Sequence, residues 1–171
     1  MVRNQEVWPP RQIARLQSQL NELAHLASTT SDDDARPFLA RLLVIRSSGY
    51  LEQTAFEVFR YYISACSGGQ VKSFAHTWVE KTRNPSAHNL EEMVGRFDAE
   101  WREQFGAFLD DQDERLRREL AFLINTRNQI AHGLNEGIGL QKALQLKGVA
   151  IEIANWIVAQ FRPHGTRLTE G

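Results

Sequence analysis

The stretch LRRELAFLINTRNQIAHG, residues 116–133, carries the pattern from which the rest of the chain can be understood. Leu116, Leu120, Leu123 and Ile124 recur at intervals of three or four, the period of an amphipathic helix with one buried face. Continuing that row reaches Arg127. A guanidinium stays charged at any accessible pH, and burying it unpaired is very costly. Arg127 is therefore expected to meet a carboxylate or to face a cleft where an anion comes and goes. His132 follows at the expected helix end, with Gly133 behind it as a C-terminal stop. Five residues of regular helix splay two side chains apart, so the last turn must loosen at Gly133 for Arg127 and His132 to share one opening.

The same periodicity extends on both sides. Pro9 and Pro10 suit the opening of a first helix through Ile13, Leu16, Leu20, Leu23 and Ala27. The segment from Ala35 to Ala65 reads as the longest and most central helix. Phe38, Leu39, Leu42, Leu43, Val44 and Ile45 leave it almost no polar face, and Ser47-Ser48-Gly49 offers a kink. Val71, Phe74, Trp78 and Val79 indicate a short third helix. Asn89 with Glu92 has capping-box spacing at the head of a fourth, through Met93, Phe97, Trp101, Phe105 and Phe108. Asp110, Asp111 and Asp113 place acid at the start of the fifth. A sixth runs from Leu140 to Phe161. No stretch alternates cleanly, so the fold class is all-α: a single-domain bundle of about six helices over residues 9–161. Flexible ends are expected at residues 1–8 and 162–171.

Composition narrows the function. The 171 residues suffice for one core, and 20 basic against 21 acidic residues give a formal net charge of −1. A protein that clamps nucleic acid over a broad surface is usually more basic, so polyanion binding here would need a local patch. A single cysteine, Cys66, excludes an internal disulfide and reads as packed rather than nucleophilic. His25 reads as a surface residue, His76 as packed beside Trp78, and His164 as part of the tail. None has metal-ligand spacing, so no metal and no cofactor are expected. No apolar run is of membrane-spanning length and no secretory leader is evident, which makes cytoplasmic residence the default.

Residues 126–133, Thr-Arg-Asn-Gln-Ile-Ala-His-Gly, resemble the R-x4-6-H signature of the HEPN superfamily in its R-N-x-x-A-H-G form. Gly49-Tyr50-Leu51-Glu52, the Asn84-Pro85 loop, the Trp101–Phe105 helix and the closing amphipathic helix are similar to the RiboL-PSP-HEPN branch over roughly residues 35–160. The resemblance implies a metal-independent endoribonuclease, often a toxin or defence effector, acting as a homodimer in which two motifs share one cleft. It assigns Arg127 and His132 as catalytic residues, with Asn128 orienting the phosphate or His132. It further implies an RNA substrate and allows a neutralising antitoxin partner. The chemistry suits the residues. Attack by a 2′-hydroxyl needs a proton acceptor near neutral pH and a fixed positive charge against the developing phosphorane.

Blander assignments exist for the same residues. Arg127 could be a structural arginine paired with Glu52, and His132 could simply cap a helix C-terminus. A catalytically silent module that binds RNA, a nucleotide or a protein partner is the alternative function. Arg83-Asn84-Pro85-Ser86-Ala87-His88 repeats the motif's letters, but Pro85 denies it a helical setting and a turn-and-cap loop is expected instead. Arg115, Arg117 and Arg118 are expected on a solvated face balanced by Asp113, Glu114 and Glu119.

Overall fold

The computed structural model describes residues 7–80, 84–134, 137–163 and 167–168. Helices α1 (Arg11–Thr29), α2 (Arg36–Cys66), α3 (Gly69–Glu80), α4 (Ala87–Gly95), α5 (Ala99–Ala131) and α6 (Leu140–Gln160) form an all-α bundle. α2 is the central element: it packs most extensively on α6, and α1, α3 and α5 also rest on it, while α4 lies along α5. Its core face is Leu43, Val44, Leu51, Val58 and Phe59, opposed by Leu146, Val149, Ile153 and Ile157 of α6. Phe161 closes the far end within an aromatic cluster of Phe59, Tyr62, Phe97 and Trp101. No helix among the described residues is long and apolar enough to cross a membrane.

Several local expectations are corrected. The first half of α2 is less enclosed than its composition implied, since Phe38, Leu42 and Ile45 are exposed. Ser47 does not kink it; its hydroxyl donates to the Leu43 carbonyl at 2.7 Å, and α2 runs on unbroken. Cys66, at its C-terminal end, is exposed rather than packed. α4 starts at Ala87 with Ser86 as its cap, accepting from the Asn89 N–H at 3.3 Å, so Asn89 is inside the helix. Asp98 caps α5 by accepting from the Glu100 and Trp101 amides at 2.7 and 3.1 Å.

The chain ends also differ from loose tails where they are described. Trp8 is 1% exposed, and its indole N–H donates to the Val158 carbonyl at 3.1 Å. Around it, β1 (Val7–Trp8) pairs in parallel with β2 (Arg167–Leu168).

The expected boundary between the fourth and fifth helices survives as a break inside α5. Asp111 is extended, and Gln112, Asp113 and Glu114 take left-handed φ values of 53°, 58° and 58°. Such a conformation costs roughly 1–2 kcal/mol per non-glycine residue, so surrounding contacts must hold it. Arg117 supplies one, bridging Asp110 before the break and Glu91 of α4. These two carboxylates hold its guanidinium pKa further above the usual arginine range. Arg115 supplies another, reaching Gln112 at 3.2 Å and Glu152 of α6 at 2.9 Å. The basic cluster is thus balanced largely by tertiary partners rather than by its sequence neighbours.

Candidate active site

The second half of α5 continues the buried row Leu116, Leu120, Leu123 and Ile124, but the next buried residue is Thr126, 1% exposed. Arg127 is exposed. The buried face instead continues through Thr126 to Ile130, which packs against the core, and Arg127 falls just outside it. Its guanidinium Nη1 donates to Asn128 Oδ1 at 3.0 Å. No ion pair joins it to Glu52, which lies on α2 and lines a separate cavity with Phe56, Asn84 and Pro85. The first of the two sequence expectations, a carboxylate partner, is not met among the described residues.

His132 is the C-cap of α5, with φ −93° and ψ 6°. Gly133 follows at φ +70°, the left-handed conformation that only glycine adopts without penalty. The Gly133 N–H donates to the Ile130 carbonyl at 3.0 Å and the Leu134 N–H to the Gln129 carbonyl at 2.8 Å. This pair of bonds is the Schellman motif, and it stops the helix directly behind His132. The His132 amide is tied to the Asn128 carbonyl at 3.1 Å. Its imidazole is exposed and makes no hydrogen bond or ion pair among the described residues.

One helix end thus presents a guanidinium held by Asn128 and an imidazole held by a glycine stop. Arg127 and Asn128 lie near the end of α5 and His132 is its C-cap; the helix stays regular between them, so the loosening expected there does not occur within one chain, and Glu52 does not join them. Phe122 and Leu134, near the motif in sequence, are 44% and 77% exposed. Sequence reasoning passed over both, although Phe122 lies off the buried row by its spacing.

The repeated letters at residues 83–88 have the opposite setting. Arg83 and Lys81 lie outside the described residues. His88 occupies the first turn of α4 and approaches Glu92 at 3.9 Å. The same letters sit at a helix start in one case and at a helix end in the other.

A helical bundle that ends a core helix in this exposed Arg-Asn and capped His-Gly arrangement falls in the class of HEPN-type domains. The chain belongs to the RiboL-PSP-HEPN family, which it matches over residues 12–161. No curated protein and no solved structure matches it significantly.

Proposed function

We propose that the chain is a metal-independent endoribonuclease whose working groups are Arg127 and His132, assembled in the cleft of a homodimer. The observation that carries this reading is an exposed Arg127 with no carboxylate partner among the described residues, near the same helix end as an imidazole that no described residue engages. In the reaction His132 takes the proton from a ribose 2′-hydroxyl. The freed oxygen attacks the adjacent phosphorus and the bond to the 5′ oxygen breaks. A second His132, from the other protomer, returns a proton to that leaving oxygen. Arg127 holds the charged equatorial oxygens, and Asn128 keeps the guanidinium aimed. The products are a 2′,3′-cyclic phosphate and a 5′-hydroxyl.

A role as a cytoplasmic toxin or defence effector, restrained by an antitoxin protein, follows from the same reading. The formal net charge of −1 favours a second reading, a silent HEPN module binding RNA, a nucleotide or a protein. Incubation with mixed cellular RNA in excess EDTA separates the two. The nuclease reading expects fragments ending in cyclic phosphate; intact RNA bound by the protein favours the module.

A further inference from the structure

We propose that the groove between α3 and α4 binds a small amphipathic anion, an apolar and preferably aromatic body carrying one carboxylate, sulfonate or phosphate. This site is separate from the Arg127 and His132 chemistry and does not depend on it. The groove is open to solvent and offers about 400 Å³, within the range of roughly 300–1,000 Å³ usual for ligand pockets. Ile63, Phe74, Trp78, Met93 and Phe97 give it an apolar lining. α3 contributes only Val79 to the buried core, whereas Phe74 and Trp78 are 66% and 44% exposed. Apolar surface is therefore left open along a concave site that nothing in the described chain fills.

Charge decides the kind of occupant. Arg96 is the one charged residue lining the groove among the described residues. Glu92 precedes it by four positions, the spacing at which a glutamate and a cation pair along a helix. Arg96 makes no such pair. Its guanidinium lies 4.9 Å from the centre of the Trp78 ring, and Nη1 reaches Met93 Sδ at 3.6 Å. Glu92 instead approaches His88. A thioether is a weak acceptor and an aromatic face uses none of the in-plane donors, so the strong N–H groups of Arg96 stay available at the groove. An anion seated there gains charge-assisted hydrogen bonds while its apolar body covers Phe74 and Trp78.

The test titrates the full chain with anilinonaphthalene sulfonate and with its uncharged counterpart phenylnaphthylamine, below their aggregation limits. Arg96 and Phe74 are both exposed, so Arg96→Gln and Phe74→Ala should keep the fold, which circular dichroism checks. The expected result is one sulfonate per chain, bound about tenfold more weakly by Arg96→Gln. The uncharged probe binds wild type and Arg96→Gln alike, Phe74→Ala weakens both probes, and His132→Ala changes neither. No binding, several sites, or sulfonate affinity indifferent to Arg96→Gln overturns the proposal. So does association with phosphatidylglycerol vesicles without binding of the free probe, which would make the face a membrane contact.

Discussion

Replacing Gly133 with alanine tests whether the helix stop behind His132 is set by backbone conformation alone. A Cβ at this position would meet nothing within 4 Å, so no clash with neighbours contributes to the cost. What remains is the φ of +70°. Holding an alanine there costs roughly 1–2 kcal/mol, and the lower entropy of its unfolded chain returns part of that. The net loss expected is about 1 kcal/mol, equivalent to a fall of roughly 2–4 °C in melting temperature for a chain of this size. Urea unfolding followed by circular dichroism should show a lower midpoint with an unchanged slope. Gly133→Asn should lose less, because asparagine tolerates the left-handed region better than alanine. An alanine variant as stable as wild type would refute the reasoning, since the left-handed stop would then carry no energetic weight.

The break in α5 predicts the opposite sign for the same physical reason: Asp113→Gly relieves a left-handed non-glycine residue and should raise stability by about 0.5–1 kcal/mol, and a lower urea midpoint would count against the left-handed turn. Trp8→Phe keeps most of the buried ring but removes the donor to Val158, costing about 1 kcal/mol in the same assay; no change would mean that the N-terminal segment is not docked. Burial raises the Tyr50 hydroxyl above its ordinary pKa of 10.0, so folding is unaffected by the ionisation of this group below pH 10 and is progressively disfavoured as pH rises through the higher folded value. The midpoint of wild type should therefore fall relative to that of Tyr50→Phe as pH rises above 10, and curves that stay parallel would contradict this.

The helices were legible because apolar residues at three- and four-residue spacing bury one face, and that signal located α1, α2, α3 and α6 within a few residues, but it carried the expected fourth helix from Asn89 to Phe108 across the real break between Gly95 and Ala99. It fails where burial depends on distant chain. Trp8 stands alone in an aperiodic segment, and its contacts with Val158 of α6 and Tyr61 of α2 place it in the core. Phe38, Leu42 and Ile45 are apolar, but composition cannot say that neighbouring helices stop short of them. The left-handed turn at residues 112–114 has no glycine or proline to announce it, and tertiary ion pairs hold it instead. At the site, the motif and its glycine stop were readable. The surroundings of Arg127 were not, because a row of apolar residues can be continued by more than one position, and the buried face takes Thr126 and Ile130 instead of Arg127. The groove at Arg96 escaped notice because Phe74 and Trp78 have the spacing of ordinary core residues.

The central claim is that His132 and Arg127 cut RNA without a metal. Its most direct test is the single-turnover cleavage rate of an RNA oligonucleotide in excess EDTA, for wild type and for His132→Ala, with matched thermal melts. Loss of a general acid–base group should lower the rate by about 100- to 10,000-fold while the melt is unchanged. Equal rates for the two proteins, or no cleavage by wild type, would contradict the account.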